Sequence, residues 1–141
     1  MCVLRAVGTT FDPDAFLSTS SLPRAEAYRA GEPRLPRTQP HGPRYQRSGL
    51  TIGVSEAEWD DLPSQVLDAL NFLRAHREEV SQLVAFPGVE AVKLDFPCPV
   101  RADGVSVLAQ FEYLPPALLA EAGTLGVGIE LSLYRLGEAD E

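Results

Sequence analysis

Side chains able to do chemistry are few in this sequence, and they stand apart. His41 lies in a proline-rich stretch, and His76 lies in a helical pattern with only Glu79 beside it at i+3. No Cys or His spacing completes a zinc set, so no metal centre is expected. Ser18, Ser20 and Ser21 follow a helix start and lack the G-x-S-x-G setting of a hydrolase nucleophile. Cys98 sits between Pro97 and Pro99 with nothing adjacent to lower its pKa. Gly126-x-Gly128 precedes a strand pattern rather than a helix, which excludes a dinucleotide-binding turn. Glu56, Glu58, Asp60 and Asp61 read as a solvated helix entrance rather than a cation site. An enzyme would need His76, Glu79, Asp95 or Cys98 to meet in one cleft. No catalytic residue and no cofactor is expected, and the balance favours a non-enzymatic protein.

Arginines and two tyrosines are what remain. Arg24, Tyr28, Arg29, Arg34, Arg37, Arg44, Tyr45 and Arg47 cluster in the first third of the chain, where only Asp12, Asp14, Glu26 and Glu32 oppose them and Arg5. Guanidinium forks match carboxylates and phosphates, and neighbouring aromatic rings stack on planar groups. These residues are therefore the candidate surface for an anionic ligand or partner. The competing use is pairing with the acidic remainder of the chain or with a second subunit. The net charge of −8 counts against general binding to nucleic acid or anionic membrane. Lys93 is the single lysine, and alanine, glycine and proline are abundant. That bias is also what a GC-rich genome produces, which weakens any case resting on arginine alone.

The elements that must hold these residues can be read from spacing. Pro33, Pro36, Pro40 and Pro43 exclude a helix or a central strand over 32–44, where a long loop of polyproline II character is expected. Ahead of it come a central strand over Val3–Thr10, a short helix capped by Asp12 with Pro13 in its first turn, and a brief strand over Ala25–Arg29. After it comes a strand over Gly49–Ser55. Asp60–Phe86 carries Leu62, Val66, Leu70, Leu73, Val80 and Val84 at helical spacing. An unbroken helix there would run roughly 40 Å at ~1.5 Å per residue. That is long for one small domain, and Arg77 interrupts the stripe, so a bend or break is expected at 75–77. A strand over Glu90–Phe96 should be interrupted by Pro97-Cys98-Pro99, at an edge or a strand end. Asp103-Gly104 signals a tight hairpin into a strand over Val105–Leu114, with Val107, Ala109, Phe111 and Tyr113 on one face. A helix over Pro116–Ala122 ended by Gly123 and a strand over Val127–Leu136 complete the order, and the acidic tail 138–141 is expected to fray.

The expected fold is α+β, a single domain over 1–137. Its sheet is mainly antiparallel with helices packed on one face, in the order β-α-β-β-α-β-β-α-β. From Gly49 onward the order is the ferredoxin-like βαββαβ. At 45% hydrophobic and 23% charged, the chain can build a core without staples. The N-terminus has no basic leader with a long apolar run, and no segment is long and apolar enough to span a bilayer. Cys2 and Cys98 then read as free thiols of a cytoplasmic protein with no membrane partner.

Several short motifs add a resemblance. They are Phe11-Asp12-Pro13 before the first helix, Tyr28-Arg29-Ala30-Gly31-Glu32-Pro33, the strand entry Ser48-Gly49-Leu50, the leucine-rich helix from Leu62, and Leu114…Leu118-Leu119…Gly123…Leu131…Leu133-Tyr134. Over nearly its whole length the chain resembles a bacterial family known as domain of unknown function 4279. Tyr28 and Leu50 depart from it, standing where many relatives have Trp. The resemblance implies a compact α+β domain and carries no catalytic residue over. The functional expectation is a non-enzymatic protein-interaction domain, immunity-like or self-associating, with a protein partner or a homo-oligomer. Its alternative is a regulatory domain that binds a small anionic ligand through the arginine-rich loop.

Overall fold

Leu4 and Ala6, Leu50 and Ile52, and Val92 and Leu94 alternate along three strands and are all buried. In the computed structural model, which describes residues 1–135, they meet in register: Leu4 pairs with Ile52 and Leu94, and Ala6 with Leu50 and Val92. Period-two alternation thus makes one continuous apolar face. The strands are β1 (Val3–Gly8), β2 (Ala25–Tyr28), β3 (Pro33–Leu35), β4 (Gln39–Arg44), β5 (Ser48–Gly53), β6 (Ala91–Val100) and β7 (Gly128–Arg135). The main sheet has the order β2-β5-β1-β6-β7, and β3 and β4 form a separate two-stranded sheet. All pairings are antiparallel except β6 with β7.

Among the described residues four helices cover the apolar face: α1 (Pro13–Leu17), α2 (Leu62–Ala75), α3 (Arg77–Ala85) and α4 (Pro116–Leu125). Phe16, Leu73, Val80, Leu83 and Leu118 are buried against the sheet in a single core cluster. The fold is α+β with a mostly antiparallel sheet. Asp12 caps α1 by accepting from the amides of Asp14 and Ala15, and Asp61 caps α2 by accepting from Ser64. The helical stretch breaks at His76, where φ −117° and ψ 30° leave the helix while its N–H still closes α2 on the Phe72 carbonyl. Arg77 donates to Glu121 of α4 at 2.9 and 2.5 Å, which pins the corner.

Four local expectations change. Residues 32–44 are not a continuous loop: they contain the β3–β4 hairpin, whose strands both lie at edges and so tolerate proline. Pro97-Cys98-Pro99 does not interrupt β6, which runs on to Val100 beside β7. The β1 pairing ends at Asp95, so beyond it one side of β6 is open, and prolines two apart lose their donors on that same side. The strand expected over Val105–Leu114 does not form. The Asp103 carboxylate accepts from the amides of Val105, Ser106 and Val107, consuming the donors a ladder would need. Without that strand the ferredoxin-like order is lost, and β6 crosses through α4 to a parallel β7. Finally, Gly123 lies inside α4. The helix ends at Gly126, which takes a left-handed φ of 77° that glycine adopts at little cost. The expected tail at 138–141 and the domain limit at 137 lie outside the described residues.

Candidate functional site

The arginine and tyrosine candidates divide between two environments. Tyr28 ends β2 opposite Gly49, and its ring lies over that glycine. A Cβ at Gly49 would collide with the Tyr28 hydroxyl and the Ala6 carbonyl, so the close approach requires glycine. Tyr45 follows β4 and stacks on Tyr28, with ring centroids 4.3 Å apart and planes 27° from parallel. The Arg34 guanidinium lies 5.8 Å from the Tyr45 centroid, within cation–π range. A cleft of about 350 Å³ opens beside them, lined by Arg34, Leu35, Gln39, Pro43 and Tyr45. Burial pushes the Tyr28 hydroxyl pKa up, against the pull of Arg5, Lys93 and Arg34. The Arg44 Nη1 donates to the Gly31 carbonyl at 2.6 Å. Arg34, Arg37 and Arg44 have no carboxylate partner among the described residues.

Arg24, Arg29 and Arg47 are already used inside the chain. Arg29 donates from Nε to Asp14 at 2.6 Å and also pairs with Glu32, and the Arg29 bonds hold the Asp14 carboxyl below its ordinary pKa. Arg24 pairs with Glu56 at 2.8 Å. Arg47 reaches Glu90 at 3.7 Å, and the same carboxylate accepts from the Thr9 amide. Exposed pairs of this kind hold the chain's own surface together weakly.

The sheet's second face has no helix against it among the described residues, and it carries a polar network. Asp95 is only 4% exposed, accepts from Arg5 at 3.0 Å and takes the Ser132 hydroxyl, while Lys93 pairs with Glu130. Asp95 and Glu130 lie opposite each other in the ladder, so Arg5 and Lys93 offset two adjacent like charges. The residues an enzyme would need are scattered. His76 and Glu79 lie at the α2–α3 corner, Asp95 faces the bare side of the sheet, and Cys98 faces the core. Burial pushes both the Cys2 and Cys98 thiols up, away from thiolate chemistry. Among the described residues, no group of three or more His, Cys, Asp and Glu is placed to hold a metal ion.

Sequence reasoning missed the second candidate region, which is apolar. The segment after β6 leaves Val105 86%, Leu108 80% and Phe111 88% exposed, and Leu133 of β7 is 64% exposed beside it. Leu131 and Leu133 lie on the helix face of the sheet, in register with the buried Phe96 and Cys98, but stay exposed. A groove of about 460 Å³ is lined by Val100, Ala102, Leu108, Leu131 and Leu133. The segment is tied down at two places. Arg101 pairs with Glu112, and Gln110 donates to the Pro99 carbonyl at 2.8 Å. A second cleft of about 370 Å³ places Phe111 and Tyr113 against Leu62 and Val66 of α2. The signal was present as the alternation of Val107, Ala109, Phe111 and Tyr113, but alternation alone does not say whether a facing strand exists.

No helix of the described residues is long and apolar enough to cross a membrane. Comparison with known proteins finds no matching family model, curated protein or solved structure.

Proposed function

We propose that this chain is a non-enzymatic protein-interaction domain that binds through the apolar surface of residues 105–113 and β7. One observation carries the reading: Val105, Leu108, Phe111 and Leu133, side chains that would be expected in a core, stand largely in water, and Leu108 shares an apolar groove with Leu131 and Leu133, a state soluble domains avoid unless a partner covers it. The arginine-rich hairpin, where the sequence placed the site, offers charge without comparable apolar area. Two buried, unpaired cysteines fit a reducing cytoplasm. A small acidic chain of this kind suits an immunity-like role, in which it covers the surface of another protein. Membership of the family it resembles belongs to the same proposal and adds no activity to it. The test is co-purification at native concentration, comparing the natural chain with a Phe111→Ser/Leu133→Ser variant. An enriched partner, or a second copy, that the variant loses is the expected result. Recovery of a lone monomer in both cases would refute it.

A second reading rests on the Tyr28–Tyr45 stack with Arg34 above it: a small planar anion held in the cleft beside β4. Ligand bound only to the native state raises stability by RT ln(1 + [L]/Kd). A screen of anionic metabolites should then yield one that raises the melting temperature of the natural chain and not of Arg34→Gln. A screen without any shift rejects this reading.

A further inference from the structure

The edges of the sheets are treated unequally. β2 has only 4 residues, β3 and β4 carry Pro33, Pro40 and Pro43, and the open side of β6 carries Pro97 and Pro99. These are the devices that keep an edge from pairing with another chain. β7 is neither short nor broken by proline, and of its two charged residues Glu130 is already paired with Lys93 while Arg135 stands at its end. It runs 8 residues in unbroken register with β6, contains no proline or lysine, and has no strand on its outer side among the described residues. Because Pro97 and Pro99 cannot donate, the β6 residues that bond across to β7 are Phe96, Cys98 and Val100. In a parallel ladder these engage Glu130, Ser132 and Tyr134. The N–H and C=O groups of Ile129, Leu131 and Leu133 therefore point outward.

We infer that the occupant of this edge is a second copy of the chain, paired antiparallel through β7 about a two-fold axis at Ser132. The inference rests on the protein-interaction reading above and names its partner. An antiparallel strand pair about such an axis continues each face of the sheet into the same face of the other copy. Leu131 then lies opposite Leu133 of the second copy, and Leu133 opposite Leu131, extending the exposed apolar group across the junction. Charge also fits. A chain of net charge −8 resists self-association in general, yet here the charges are matched before docking: Lys93 with Glu130, and Arg101 with Glu112. Glu130 meets Tyr134 of the second copy, and no like charges face each other. An unrelated partner strand would need apolar residues at the same alternate positions, which β7 already supplies to itself.

The two Ser132 residues form a non-hydrogen-bonded pair in this register, with Cα atoms ~4.5 Å apart, inside the range a disulfide spans. The experiment is sedimentation equilibrium of the full chain from about 1 to 200 μM, with two variants. Expected results are a reversible dimer for the natural chain, an oxidation-dependent covalent dimer for Ser132→Cys, and association weakened at least tenfold, toward monomer, for Leu133→Glu. Leu133 is exposed, so that variant should keep the natural circular dichroism and melting profile of the monomer. A chain that stays monomeric over the whole range overturns the inference, as does a dimer indifferent to Leu133→Glu that never cross-links through Ser132→Cys. If the chain is monomeric but cellular co-purification still enriches a different protein that Leu133→Glu releases, the second copy is wrong and the interaction reading stands. If neither is seen, both fall.

Discussion

The arginine hairpin and the β7 edge lie on one small domain, and they answer opposite questions about where binding resides. The hairpin holds the residue types that recognise ligands, yet it is shallow, its strands are edge-protected by proline, and half of its arginine neighbourhood is spent on Asp14, Glu32, Glu56 and Glu90. The β7 edge holds no reactive group. What it has is uncovered leucine, beside the exposed Leu108, and outward backbone groups with no proline among them. Residue chemistry points to one region and desolvation energy to the other. For a protein-sized partner the second is the stronger argument, since burying apolar area gains about 25 cal/mol per Å², whereas exposed ion pairs gain about 0–1 kcal/mol.

Two leucines on the sheet's apolar face differ most. Leu94 and Leu133 point to that side, one fully buried and one open. Leu94→Ala should cost about 3 kcal/mol in urea unfolding, the usual loss for a buried leucine. Leu133→Ala, measured at a concentration where the chain is monomeric, should change stability by less than about 0.5 kcal/mol. Equal losses would mean that Leu133 is part of the core, and the edge would no longer be special. On the hairpin side, Tyr45→Ala removes the stack on Tyr28 and should lower stability by about 1 kcal/mol. No loss of stability there would mean that the hairpin is held by its backbone alone. Smaller still, Arg34→Gln, Arg37→Gln and Arg44→Gln combined should leave stability within about 0.5 kcal/mol and leave sedimentation unchanged. A loss of association in that triple variant would return the site to the hairpin.

The smallest effect concerns the turn that presents the apolar segment. Asp103 accepts from the Ser106 hydroxyl and from backbone amides, and these bonds hold its carboxyl well below the usual carboxylate range. A carboxyl with a depressed folded pKa stabilises the turn fully above its ordinary value of 3.8 and loses that contribution as pH falls through the depressed one. Amide shifts of Val105–Val107 should therefore hold steady from pH 7 to pH 4 and move only in stronger acid. Asp103→Asn should loosen them at neutral pH. A transition centred at the ordinary carboxylate pKa would show that the turn is not formed as described.

Much of the fold was legible because it depends on local periodicity. The alternations of Leu4 with Ala6 and of Leu50 with Ile52 became core strands, Asp12 became a cap, and the excess length around Arg77 became the break at His76. What misled was any inference needing a partner element. Val105–Leu114 alternates like a strand, but Asp103 captured its first donors and β7 took the ladder position beside β6. Pro97 and Pro99 read as an interruption because the open side of β6 is a property of topology rather than of spacing. The candidate site followed the same rule. The stacking of Tyr28 and Tyr45 joined two residues the sequence had nominated. Exposure of Phe111 and Leu133 is decided by what fails to cover them, and no local pattern encodes that.

The central claim, that binding uses the β7 edge and its apolar neighbours, is tested most directly by amide hydrogen exchange of β7 at increasing protein concentration. The account predicts that the outward amides of Ile129, Leu131 and Leu133 become progressively protected, while those of the β3–β4 hairpin do not change. Exchange at β7 that is independent of concentration, with protection appearing at the hairpin instead, would contradict it.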